Sequence, residues 1–203
     1  MTTSLPSAED VLDFWFGPLD ENGCASDEKA AHWWKKSAQF DAEVRDRFGP
    51  LHDAVAKREC ETWLETARGT LAYVIVLDQF SRNMFRDTAR AFETDPQALA
   101  AARHGVERGF DRELALAERG FLYMPYMHAE DRDSQARCVH LFTDFVASAP
   151  EAEREKLSNN IQYAKAHQDI VDRFGRFPHR NVILGRTSTA DEVEFLKQPG
   201  SSF

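Results

Sequence analysis

Apolar residues recur along the chain at three- and four-residue intervals, the repeat that lines one face of an α-helix, and they do so in nearly every segment. Ser7 and Asp10 supply a cap and a first-turn acid for a helix carrying Val11, Leu12, Trp15 and Phe16, and Gly17-Pro18 stops it. After a polar loop over 19–26, Asp27 is placed to cap a short helix bearing Trp33 and Trp34. Over 38–58 the stripe Phe40, Val44, Phe48, Leu51, Val55 runs across Pro50, whose missing N–H predicts a kink or break. Thr66 can cap a helix running to about Met84. Its run over 71–77 is β-like in composition, but the apolar character persists through Phe80, Met84 and Phe85, too far for a strand. A helix that is apolar nearly all round is a buried one.

Asp95-Pro96 reads as N-cap and first helical residue of a helix to about Glu107. A helix over about 117–128 contains Pro125 and should bend there. Helices over 131–146 and 151–174 follow, the second ended by Gly175. Thr189 with Glu192 forms a capping box for a last short helix through Lys197. No hairpin signal occurs, and no strict repeat of ~34 residues is present. The expectation is all-α: a single domain over 1–203, an array of about eight to ten helices with short connections.

Composition narrows the setting. Apolar residues make up 42%, enough to build a core, so disorder is excluded. The 34 acids exceed the 25 bases, a net charge of −9, which repels polyphosphate and anionic lipid; neither nucleic acid nor membrane is expected as a partner. Three separated cysteines (Cys24, Cys60, Cys138) have no zinc spacing and read as reduced thiols. The N-terminal residues 1–7 lack a basic residue and do not resemble a signal peptide, and the longest apolar run falls far short of the ~20 residues that span a bilayer. A soluble, cytoplasmic protein is expected.

Metalloprotease, di-metal, Walker, dinucleotide and nucleophile-elbow motifs are all missing. The densest candidate is the stretch from Arg173 to Arg186, which holds Arg173, Arg176, Arg180, Arg186 and His179 with no acid. Guanidinium forks bind carboxylate or phosphate, so this is an anion-site candidate; the competing structural reading is that these arginines pair with the protein's own acids. Asp78, Gln79, Arg82 and Asn83 form a second group. Asp78 and Arg82 are one helical turn apart on the inward face, with Gln79 and Asn83 to satisfy them, as a polar pocket floor or as a structural network. A third group holds Tyr123, His128 and Glu130, where a histidine beside a carboxylate suits acid–base work, against a plain capped junction at Asp131. His167, on a face with Tyr163, Ile170 and Phe174, reads as a core histidine, and the three N-terminal tryptophans read as core.

Six blocks stand out together: Val11-Leu-Asp-Phe-Trp-Phe-Gly17, Trp33-Trp34, Leu77-Asp-Gln-Phe-Ser-Arg-Asn-Met-Phe-Arg86, Arg90-Ala-Phe92, Phe121-Leu-Tyr-Met-Pro-Tyr-Met-His-Ala-Glu-Asp131 and Arg173-Phe-Gly-Arg-Phe-Pro-His-Arg-Asn181. They resemble the signature blocks of the bacterial domain-of-unknown-function family 924, from about Val11 to Leu196. The resemblance implies an all-helical fold with tetratricopeptide-like superhelical packing and carries over no catalytic residue. Ser81 departs from that family's usual proline before the arginine. Two functions follow as expectations. One is an internal polar pocket for a small anionic ligand, with Asp78, Arg82, Asn83, Tyr123, Arg173, Arg176, His179, Arg180 and Arg186 as binding residues and His128 and Glu130 as an acid–base pair, should there be a reaction. The alternative is a tetratricopeptide-like scaffold for a peptide or partner protein.

Overall fold

Side-chain caps write most of the helix starts. In the computed structural model, which describes residues 4–202, α1 (Ala8–Phe16) opens on a Ser7/Asp10 capping box. Ser26, rather than Asp27, caps α2 (Asp27–Trp34), accepting the Lys29 N–H at 3.3 Å. Thr66 caps α4 (Ala67–Ile75), Asp131 caps α8 (Arg132–Ser148), and Thr189 with Glu192 closes the box of α10 (Ala190–Phe195). Thr94, not Asp95, precedes α6 (Asp95–Glu107), and neither side chain caps it: the Thr94 hydroxyl bonds the Leu77 carbonyl and the Asp95 carboxylate is taken by Arg82. Gly175, at φ 70°, ends α9 (Glu151–Phe174) in the left-handed conformation that glycine adopts without a Cβ clash.

Neither the proline expected to kink or break its helix nor the one expected to bend it interrupts the helix. α3 (Ala38–Ala56) runs through Pro50, and α7 (Leu116–His128) runs through Pro125. Pro50 and Asp46, whose carbonyl loses its helical donor, both face solvent, so water can satisfy that carbonyl. Buried Phe48 and Leu51 anchor the helix on either side of the proline.

α4 continues without interruption through a π-helical turn (Val76–Phe80) into α5 (Ser81–Met84). The wide turn frees carbonyls, and side chains claim them. The Ser81 and Thr94 hydroxyls donate to the Leu77 carbonyl at 2.7 and 2.6 Å, and the Arg82 guanidinium donates to that of Asp78 at 2.8 Å. His52 Nε2 lies 2.8 Å from Ser81 Oγ and completes this buried group. No strand occurs among the described residues, and a lone antiparallel bridge joins Leu19 and Ala25. The chain is all-α. Met1–Thr3, at the start of the segment read for a signal peptide, lie outside the described residues.

The chain packs as two units. The first holds residues up to Arg86 together with Arg90–Pro125. Its core is the central rod: Leu71 through Phe80 are all buried, and Phe48, Phe14 and Trp15 stack around Phe80 with ring centroids 4.8–6.0 Å apart. Of the tryptophans expected in the core, Trp15 is buried, Trp33 is half-buried with its Nε1 donating to the Trp15 carbonyl, and Trp34 is 66% exposed. The second unit holds Asp87–Ala89 and the chain from Tyr126 onward, with α8 lying along α9. Ile170, Val171 and Phe177 form a core there, with Phe174 and Phe195 against it. His167 is buried on that face, whereas Tyr163, expected beside it, is exposed. Among the described residues no helix is long and apolar enough to cross a membrane.

Gly69, in the first turn of α4, has no room for a Cβ, which would collide with the Trp63 carbonyl oxygen and Thr66 Oγ1. Gly69→Ala is expected to lower stability by about 1–3 kcal/mol despite alanine's better helix propensity, because the obstacle is backbone. Urea unfolding checks this, and an unchanged midpoint would contradict it.

Candidate functional site

The central rod places Asp78 fully inside, and its charge is met by an Arg82 nitrogen at 3.1 Å and by Gln79 Nε2 at 2.6 Å. Arg82 also forks onto Asp95 at 3.0 and 3.1 Å, so one guanidinium neutralises two carboxylates. Asn83 does not serve this pair as expected. Its amide donates to Asp41 at 2.8 Å, alongside the Arg86 fork at 2.7 and 2.8 Å. Asn83, five residues after Asp78, falls on a different face of the rod, where Asp41 of α3 supplies an acceptor. Tyr123 donates its hydroxyl to Asp111 at 2.6 Å and accepts from Arg119 at 2.8 Å; burial and then the Asp111 bond push its phenol well above the ordinary tyrosine value.

In the second unit the arginine-rich stretch is tied into a continuous chain of polar contacts. Arg176 forks onto Glu192 at 2.7 and 2.8 Å. Asn181 donates to Glu192 at 3.3 Å and accepts from Arg186 Nε at 3.0 Å. Arg186 then forks onto Glu130 at 2.6 and 2.9 Å, and Glu130 also accepts the Phe177 N–H at 2.7 Å. Burial opposes the Glu130 charge, but the Arg186 and Phe177 bonds outweigh it and hold the carboxyl below its usual range. Glu192 is held at about 2, chiefly by Arg176. Glu130 is thus committed to Arg186 and Phe177, which makes it a clamp on the loop.

Phe177 collects the histidines. His167 donates Nδ1–H to the Tyr163 carbonyl at 2.8 Å, and its ring lies 5.5 Å from Phe177 and 6.4 Å from His128. His179 stands 5.6 Å from the same phenyl ring, and the buried Arg180 guanidinium lies 4.6 Å over it. Burial, then the neighbouring charges of His128, Arg180 and His179, push His167 down to about 3; burial and Arg180 push His179 down to about 4. Both rings are neutral at pH 7.

Beside this lies a cleft of about 450 Å³ lined by Arg173, Phe174, Arg176, Thr189, Asp191 and Glu192. The Arg173 guanidinium rests 4.6 Å over Phe174 and 5.7 Å over Phe195. Among the described residues no carboxylate lies within ion-pair distance of it. A cleft of about 320 Å³ in the first unit is floored by Phe14, over whose ring Arg47 and Lys29 already lie. No group of three His, Cys, Asp or Glu side chains among the described residues is placed to hold a metal. Sequence reasoning took Glu192 only as a capping residue and passed over Asp191. The one signal for Glu192 was an acid close after a run of arginines that lacked one.

An all-helical chain with these two polar assemblies belongs to the DUF924 family, described as bacterial protein of unknown function, whose profile matches residues 11–200. It is similar to a solved protein of unknown function, ATU0120, from Agrobacterium tumefaciens: 39% identity over 94% of this chain and 96% of that one, with a TM-score of 0.78. No curated protein matches.

Arg82→Ala strands the wholly buried Asp78 and frees Asp95, and should cost about 3–5 kcal/mol in urea unfolding; an unshifted transition would show the pair to be dispensable. The histidines set a pH dependence. Because His167 and His179 titrate below the ordinary 6.5 in the fold, the unfolded chain takes up protons first as pH falls. Stability is therefore full above pH 6.5 and drops below it, by up to about 1.4 kcal/mol per pH unit for each ring, before the carboxylates add their own loss below about pH 4.5. His167→Asn, which keeps a donor for the Tyr163 carbonyl, should flatten the melting-temperature slope between pH 6.5 and 5; an equally steep slope in the variant would assign it elsewhere.

Proposed function

We propose that this protein binds a small anionic molecule in the cleft beside α10, with Arg173 as the group that holds the anion. The observation that carries this reading is the contrast between Arg173 and four other guanidiniums of the protein. Arg176, Arg186, Arg82 and Arg86 are each forked onto a carboxylate of the protein, while Arg173 lies over two phenyl rings, lines the cleft and has no ion pair among the described residues. A planar donor already fixed in place loses little freedom on meeting a carboxylate or phosphate.

The other expected binding residues act as supports in this reading. Arg176, Arg186 and Glu130 brace the loop, while Asp78, Arg82, Asn83 and Tyr123 brace the central rod. His179 and Arg180 pack on Phe177, and His128 is the group to examine for proton transfer. Three cysteines, none of them in a disulfide among the described residues, accord with the cytoplasm as its compartment. A second reading, a scaffold of tetratricopeptide-like packing that takes a peptide or partner protein, is supported by Trp34, a large aromatic side chain left in solvent.

Wild-type protein titrated with inorganic phosphate, sulfate and acetate at constant ionic strength should show saturable binding by NMR or calorimetry. Arg173→Ala should weaken it by about tenfold or more while leaving the melting temperature nearly unchanged, because the side chain is exposed. Equal binding by the variant would remove Arg173 from the site. Binding of peptides lost on Trp34→Ala, with no anion effect, would favour the scaffold.

A further inference from the structure

We infer, on the reading that the Arg173 cleft takes an anion, that its ligand is a zwitterion carrying a protonated amine beside its carboxylate or phosphate. The charges around the cleft lead to this. Arg176 and Glu192 cancel one another through their two-pronged fork. Arg173 and Asp191, of opposite sign, also line the cleft, and among the described residues neither is in an ion pair, with the other or with any third group. Two such charges facing one small space, too far apart to meet, are complementary to a molecule that carries both signs itself.

The alternative, a simple monoanion, fits less well. Drawn to Arg173, it enters a cleft whose four charged walls sum to zero and meets Asp191 as a like charge. An ammonium on the same ligand turns that repulsion into attraction. The remaining walls suit such a molecule. Phe174 offers an apolar surface, and Thr189, whose hydroxyl oxygen accepts the Glu192 N–H at 3.2 Å, can still donate its own proton to an anionic oxygen. About 450 Å³ falls in the range of small-molecule clefts. An α-amino acid and an aminoalkyl phosphate share this chemistry.

The test compares each zwitterion with its halves. Phenylalanine is titrated against 3-phenylpropionate and phenethylamine, and phosphoethanolamine against inorganic phosphate and ethanolamine, by NMR at fixed ionic strength and pH 7. The expected result is that at least one zwitterion binds about tenfold or more tightly than its monoanionic half, and the pair that does so tells carboxylate from phosphate. Asp191→Asn should abolish that advantage while the monoanion binds as well as before or better, with the fold checked by circular dichroism. If monoanions bind through Arg173 but neither zwitterion gains, or the gain survives Asp191→Asn, the zwitterion is overturned and the anion site stands. If no probe binds and Arg173→Ala changes nothing, the anion site itself falls.

Discussion

A charge withdrawn from water must be met by its opposite, and that requirement organises both units of this protein. Asp78 has no contact with solvent, and it sits at a π-helical turn where the backbone has also released carbonyls. Arg82 answers both needs, giving one nitrogen to the Asp78 carboxylate and carbonyl and its fork to Asp95. Buried ion pairs of this kind add little net stability, because desolvation offsets most of the Coulombic gain. What they enforce is exclusivity. Any packing that separates Arg82 from its two acids leaves a carboxylate stranded, so the start of α6 is fixed against the central rod.

The second unit applies the same rule to a loop. Glu130, just past α7, holds the Phe177 N–H and the Arg186 fork, and Glu192 holds Arg176 from α10. A loop whose regular structure is one 3-10 turn (Pro178–Arg180) is thereby pinned by Glu130, distant in the chain, and by Glu192, just beyond it. Phe177 is seated against buried His167 and half-buried His179, and Arg173, at the last turn of α9, is left lying on aromatic rings. Of the two acids that line the cleft with it, Glu192 is taken by Arg176 and Asp191 makes no ion pair with it.

The prolines show the balance of local and distant forces. An interior proline costs a helix roughly 3 kcal/mol, which would end an isolated helix. In α3 the residues flanking Pro50 bury Phe48 and Leu51 completely, and burial of two such side chains is worth about as much. The local penalty is absorbed because the exposed carbonyl can turn to water.

Local rules therefore reach as far as the helices. Periodicity, the Ser7, Thr66, Asp131 and Thr189 caps and the Gly175 stop are short-range devices, each complete within a turn or two, and they were readable one segment at a time. So was the Asp78–Arg82 pair, a single helical turn apart. Nothing local told Asn83 to choose Asp41, joined Arg186 to Glu130, or separated Arg173 from the arginines beside it. Those outcomes depend on which carboxylate arrives in space first, across chain separations of tens of residues. Only the folded chain, by bringing some opposite charges within 3 Å and leaving others apart, decides which arginine is forked onto a carboxylate and which is not.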